Sequence, residues 1–443
     1  MKVLMNTAAK LLLTFVIFCL AVSAQAEDAI FTKDMAQEHL VGSSYRWRQT
    51  FEASQDAQAK FDQAQAGDHV MINAFAREFV ARTNEIIYGL SSNLDAVVGG
   101  GVTGVEGRYD FYNASMGSKI KAADENRRLG ASQTKAYQND LRFLVLLKYL
   151  NAQQFQKKRE LMDSLLERDN RLSRLAEGKV QNGVGVPLDL ARSQAIVEKD
   201  KFKKLDAESS YEKSIQELKA LVVDLPASIK LEQLEFHEVS PATIAQLEKR
   251  VSDRPEIQVA EHSYLAMKQL KEATDNESKV VFSLYGELAT AGIQPFGLVN
   301  GPSGAFGLQL TMPLVDGGYL RGKSAEALGK LNSLEMQQKQ VQIETDGDLV
   351  TAKSQIEFTR QVVGTSFRQV ELAKKELEFA EKKIRLGSSS NLELITAQGN
   401  LTQASELNIQ SIYAYEAAKL NFFHLIADVD SYLKLDKKDV PHG

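Results

Sequence analysis

Residues 349–386 read LVTAKSQIEFTRQVVGTSFRQVELAKKELEFAEKKIRL, and their spacing decides the fold. Every seventh residue from Leu349 is apolar: Leu349, Ile356, Val363, Val370, Leu377 and Ile384. Three positions further on, the same spacing gives Ala352, Thr359, Ser366, Ala373 and Ala380, all small. A seven-residue repeat keeps one stripe facing a partner, so this is the large/small seam of two closely packed helices. A second stripe, Phe358, Thr365, Leu372, Phe379 and Leu386, starts two residues after the first. At about 100° per residue it lies roughly 200° round the helix. A bundle helix needs one apolar stripe, whereas a helix in the wall of a tube needs two. The competing reading is a fully buried helix. The polar residues between the stripes (Glu371, Lys374, Lys375, Glu378, Lys382) favour the tube wall.

The helix, expected over 321–386, breaks at Gly387-Ser388-Ser389-Ser390-Asn391, and helical periodicity resumes over 392–427. So short a break forces two antiparallel helices with a narrow tip at 387–391. The spacing recurs earlier: Gly183, Leu188, Asp189 and Gln194 match Gly387, Leu392, Glu393 and Gln398, each 204 positions apart. The chain therefore reads as an internal duplication, with a first tip at 183–187 (Gly183, Val184, Gly185, Pro187).

The stretches RLGSSSNLELITAQ and GVGVPLDLARSQ, with DRPEIQVAEH at 253–262 and MPLVDGGYLRGKSAEA at 312–327, resemble four landmarks of the TolC-like outer-membrane efflux channel family. The resemblance covers residues 115–427 well and 27–114 poorly. It implies a mainly α chain with a small β part. Long antiparallel coiled-coil helices would form a helical tube, continuous with a transmembrane β-barrel shared between three chains. It also implies a periplasmic adaptor and an inner-membrane pump as partners.

Residues 1–26 read as a secretory signal, with Lys2 and Lys10 flanking an apolar run from Leu11 to Val22, before Ala24-Gln25-Ala26. Twelve or so apolar residues fall short of the ~20 that span a bilayer, which weighs against an anchor. Val16, Ile17 and Phe18 before Cys19, the single cysteine, are not the small residues of a lipidation site. Cleavage would change the formal charge from −5 to −7. An acidic chain without a basic face makes nucleic acid an improbable partner. With no apolar helix left, a mature chain crosses a membrane only as a closed barrel.

Residues 27–226 form the first repeat, with helical composition over 27–90 and strands within 74–113; 227–252 form a linker with short elements, 253–427 the second repeat, and 428–443 a tail. Gly99, Gly101 and Gly104 satisfy G-x-G-x-x-G, yet a polar, aromatic strand-like segment follows where a dinucleotide site needs a helix. Turn glycines are the better reading. Helices are expected over 120–182 and 188–222. Another, capped by Ser252 or Asp253 with Pro255 in its first turn, runs to about Asn276. The long helices would measure about 100 Å at ~1.5 Å per residue, so an elongated shape is expected. Strands are expected at 278–289 and 305–313, joined by a Gly- and Pro-rich loop. Phe282, Leu284, Leu308 and Leu310 would share an apolar face, opposite Ser283, Tyr285, Gln309 and Thr311. An amphipathic hairpin on a soluble core shows the same alternation. Two strands per repeat make four per chain, too few to close a barrel. Insertion thus requires an oligomer, and three chains give twelve.

The histidines (39, 69, 237, 262, 424, 442) show no metal-ligand spacing, and no nucleophile elbow, phosphate loop or thiol motif is present. Neither catalysis nor a cofactor is expected. Asp189 and Glu393 stand just inside the two tips, where an acid favours the N-terminal end of the helix dipole. The resemblance gives them a second role, lining the constricted periplasmic mouth. The tip residues Gly183, Val184, Gly185, Pro187, Leu188, Gly387, Ser388, Ser389, Asn391 and Leu392 are the expected adaptor-docking surface. The chain departs from the family pattern at Thr396, where a second acid is usual. It departs also at Ser389 and Ile384, where a basic residue and a tyrosine would bond the first-tip acid. The reading is therefore a passive exit duct in the outer membrane; the alternative is a soluble periplasmic coiled-coil adaptor or scaffold.

Overall fold

The computed structural model describes residues 30–83, 96–222, 225, 229–240, 244, 254–294, 298–385 and 391–438. The signal segment and the second tip, 387–390, lie outside them. In chain order the elements are β1 (Ile30–Phe31), α1 (Lys33–Ser43), α2 (Tyr45–Ala66), β2 (Met71–Thr83), β3 (Ala96–Asn113), α3 (Met116–Gln181) and α4 (Pro187–Lys219). There follow β4 (Lys230–Leu231), α5 (Pro255–Asn276), β5 (Val281–Gln294), β6 (Leu298–Thr311), α6 (Tyr319–Arg385), α7 (Asn391–Leu425) and α8 (Val429–Lys438). Helices α3 and α6 end 204 positions apart, at Gln181 and Arg385, and α4 and α7 open at the same interval. The chain divides into two units, one of Met1–Gln49, Tyr137–Ser252 and Thr345–Gly443, the other of Thr50–Ala136 and Asp253–Glu344.

In the first unit the heptad seam lies inside. Leu349, Ile356, Val363 and Leu377 are buried, as are all five small residues from Ala352 to Ala380. Small side chains let the α7 backbone approach, and Ser366 Oγ meets Ser411 Oγ at 2.7 Å. The opposite stripe is bare: Phe358, Leu372 and Phe379 are each more than 60% exposed. Aromatic residues of α7 and α8 (Tyr415, Phe422, Phe423, Tyr432) close one end of this core with Leu146 and Leu150 of α3. A second cluster gathers Phe31, Leu40, Tyr149, Ile215 and Leu218. Here β1 pairs in parallel with β4, so the expected linker contributes a strand to the core. The expected tail likewise carries a helix whose Val429 and Tyr432 are buried.

The second unit holds an antiparallel sheet of order β2-β3-β5-β6. Two expectations need correction. The helical composition read over 27–90 fails at 71–83, which is strand, mostly inside the 74–113 stretch where strands are expected; the β3 ladder pairs Met71 with Arg108 through to Thr83 with Ala96. The 290–304 loop is mostly strand, because β3 templates β5 as far as Gln294. Hydrogen-bond pairing outweighs local glycine and proline content, and Pro302 is tolerated because β6 is an edge strand. The three glycines of the nucleotide-like motif lie within β3. A Cβ at Gly104 would meet Leu288 O at 2.4 Å, so that glycine admits a close strand approach. Opposed pairs Leu284/Leu308 and Phe282/Leu310 share one face, and Ser283/Gln309 and Tyr285/Gly307 the other. Helix α5 begins at Pro255 with Arg254 as N-cap and no side-chain capping bond; Ser252 and Asp253 lie outside the described residues.

Candidate functional site

The ends of the two hairpins carry the candidate residues, all in the first unit. The first turn is built from glycine. Gly183, at φ +73°, ends α3 in the left-handed region, Gly183 N–H donates to Val180 O and Val184 N–H to Lys179 O. This pattern satisfies carbonyls that the helix end would leave open. Gly185 follows because a Cβ there would sit 2.6 Å from Val180 N. Pro187 then opens α4, where its missing N–H costs nothing. Gly183→Val should cost about 1–2 kcal/mol of local stability. Faster amide exchange at 179–186 is the expected readout, with Gly178→Val, at an uncrowded right-handed position, leaving that turn unchanged. The tip surface is apolar: Val184, Val186, Leu188 and Leu392 are exposed.

Asp189 and Glu393 each lie in the first turn of their helix. Each meets a cation of its own hairpin. Arg192 Nη1 is 3.9 Å from Asp189, and Lys383 Nζ is 3.4 Å from Glu393 Oε2. Lys383 is thus a basic partner for the second-tip acid; Ser389, the position compared for a partner of the first-tip acid, lies outside the described residues. Thr396 returns its hydroxyl to Leu392 O, 2.9 Å away.

Asp189 also lines a cavity of about 360 Å³ between the hairpins. Its walls include Asp169 and Leu172 of α3, Ser193 and Ile196 of α4, Ile384 of α6, and Leu394 and Gln398 of α7. Asp169 is 3% exposed, with Oδ1 bonded to Arg168 Nε at 2.9 Å. Asp169 Oδ2 and Gln398 Nε2 are buried without a bonded partner. Beyond the cavity, Lys203 Nζ of α4 bridges to Glu406 Oε1 of α7 at 2.9 Å. Sequence reading missed this cluster, although a signal existed. Asp169 falls in the apolar row Leu165, Leu172, Ala176, and Asp200 in the row Val197, Ala207, Tyr211. An acid on an apolar row needs a partner from another helix.

Two histidines also gain single carboxylate partners across helices, His262 with Glu125 and His424 with Asp140, both at 2.8 Å. Among the described residues no group of three or more His, Cys, Asp or Glu could hold a metal ion.

Two helical hairpins that recur at a 204-residue interval, with two strands preceding each, define the class of fold: a duplicated long-hairpin chain with a four-stranded sheet. Residues 254–426 of this chain match the family described as Outer membrane efflux protein. Its fold is similar to the CmeC outer membrane channel of Campylobacter jejuni, with TM-score 0.79 and 14% identity over 93% of this chain and 90% of that one. It is similar too to VceC of Vibrio cholerae, with TM-score 0.77 and 16% identity over 89% of this chain and 96% of that one. The open state of the Neisseria gonorrhoeae MtrE channel gives TM-score 0.76 and 17% identity over 90% and 89%. Nodulation protein T of Rhizobium leguminosarum bv. trifolii is 24% identical over 299 residues, 62% of this chain; the chain spans 61% of that relative's length.

Proposed function

We propose that this protein is the outer-membrane exit duct of a tripartite efflux or type I secretion system, a passive conduit opened by partner proteins. One observation carries the reading: the same long helix buries one stripe and exposes Phe358, Leu372 and Phe379 on the other. A lone chain would not keep such a row in water, whereas neighbouring copies cover it. The sheet agrees, since β2 and β6 are open edges and one face is apolar. Three copies supply twelve strands, and closure removes the edges. The duct sits in the outer membrane and reaches into the periplasm. The exposed apolar tips (Val184, Leu188, Leu392) receive a periplasmic adaptor that links the duct to an inner-membrane pump.

Fractionation of expressed protein tests this. A trimer that needs detergent for release from outer membranes supports the duct. Release without detergent favours the adaptor or scaffold reading.

Asp189 and Glu393 line the periplasmic aperture under this proposal. Three copies would place six carboxylates around a narrow opening, which attracts cations. Lys383 offsets part of the Glu393 charge, and Thr396 supplies no second acid ring. In planar-bilayer recordings, Glu393→Gln together with Asp189→Asn should reduce cation selectivity and divalent block with the trimer intact. Conduction like that of the unmodified channel would reduce both acids to helix-dipole partners.

A further inference from the structure

The pair of buried acids Asp169 and Asp200 is not used by the conduit described above. Asp169 lies in α3 and Asp200 in α4, 3% and 6% exposed. Arg168 holds one oxygen of Asp169, which leaves Oδ2 buried with no donor. Two ionised carboxylates do not share such a site without strong repulsion, and a proton between them removes it. We propose that Asp169 and Asp200 form a proton-sharing carboxyl pair that ties α3 to α4 within the first hairpin when protonated, leaving Lys203 to bridge to α7 of the second hairpin, and that loosens both contacts when it ionises.

The surroundings say how. Burial, foremost, and then the hydrogen bond and charge of Asp169 push the Asp200 carboxyl up to about 6, against the downward pull of Lys203 and Arg168. Protonated, Asp200 donates to Asp169 and supplies the donor Oδ2 lacks. Lys203 is then left to Glu406, the bridge from α4 to α7. Ionised, Asp200 gives its proton to water and becomes a competing anion for Lys203. The charged groups around it are Arg168 and Asp169 from α3, Lys203 from α4 and, through Lys203, Glu406 from α7. Helix α6 contributes Ile384 to the adjoining cavity, whose remaining charged walls are Asp189 and Lys179.

The sign follows from the raised carboxyl. The folded pair binds its proton more tightly than an open hairpin, where Asp200 has an ordinary carboxylate range near 3.8. Fastening is complete at low pH, is lost as pH rises from about 4 to about 6, and is flat above. Each unit of difference is about a factor of ten in the opening equilibrium, which exposure of the open state reduces.

The test uses the full-length protein in detergent. Infrared difference spectra of the unmodified protein should show a protonated-carboxyl band that titrates near pH 6, absent in Asp200→Asn. Amide exchange of α4 around Asp200, normalised for intrinsic rates, should speed up roughly tenfold between pH 4.5 and 7. Asp200→Asn keeps a donor to Asp169 at every pH, so its exchange should stay slow and flat. Glu406→Gln removes the bridge and should raise exchange at pH 4.5 towards the neutral value. A pH step that survives in Asp200→Asn, a flat profile in the unmodified protein, or no titrating band overturns the proposal. The consequence for an aperture rests on the conduit reading, but these readouts do not. A failed titration and a failed channel assay are therefore distinguishable.

Discussion

Glu416→Ala is expected to destabilise the first unit by about 3–5 kcal/mol, the cost of leaving one member of a buried ion pair alone. Glu416 and Lys419 sit on α7 with side chains 0% and 1% exposed, 2.7 Å apart. Tyr432 OH of α8 donates to Glu416 Oε2 at 3.3 Å, and Lys419 Nζ donates to His237 O at the same distance. Lys419 also lies 5.2 Å from the centre of the Tyr415 ring, whose hydroxyl accepts from Val239 N–H at 3.0 Å. The pair thus fastens α8 and residues 237–239 onto α7. Without the carboxylate, an ammonium stays in the aromatic core with a carbonyl and a ring for company. The expected result is earlier heat-induced loss of helix signal and protease release of the segment after Leu425. Replacing both residues, Glu416→Leu with Lys419→Met, should recover most of the loss, since an apolar pair needs no counter-charge. A single variant as stable as the unmodified protein would mean that water reaches the pair.

That pair also marks what sequence reading reaches. Helices α3, α4, α6 and α7 were legible to within a few residues, because long helices repeat their apolar spacing, the heptad row of α6 over about ten turns. The first tip was legible because Gly183 interrupts the helical pattern there. Strand β2 was legible only in part, within the expected strands of 74–113: MINAFAREFVART contains residues that suit a helix, and its ladder with β3, some 25 positions on, selects extended backbone. The same holds for 290–304, where glycine and proline mark a loop locally and a ladder globally. Acids on apolar rows, Asp169, Asp200 and Glu416, were in plain view. Their partners Lys203 and Tyr432 become neighbours only after folding, so the sequence marked an anomaly without its resolution. Lys383 shows the same limit at the tip. It meets Glu393 from ten positions earlier in the chain, a pairing that no motif pointed to.

Leu308→Arg is expected to abolish the outer-membrane trimer, at a cost of about 2–4 kcal/mol for each chain if the residue lies near mid-membrane. The register supplies the reason. Leu308 opposes Leu284 on β5, which opposes Tyr109 on β3, and Phe282, Phe306 and Leu310 fall on the same face. Leu308, Phe306 and Leu310 are 74%, 77% and 61% exposed, so none of the described residues covers them. The other face is polar: Arg108 reaches Ser283 Oγ at 3.1 Å, Ser283 donates to Asp110 Oδ1 at 2.7 Å, and Arg77 pairs with Glu106. Under the proposed duct, such a two-faced sheet would put lipid against one side and water against the other. Gln309, one residue along, shares the polar face and bonds Thr311. Gln309→Arg should therefore assemble normally and alter conductance alone. The measurement is the amount of detergent-extracted trimer in outer-membrane fractions for each variant. Loss with Gln309→Arg and tolerance of Leu308→Arg would invert the facing. If both arginines assemble at normal levels, the sheet does not meet lipid, and the apolar face must be covered by another protein.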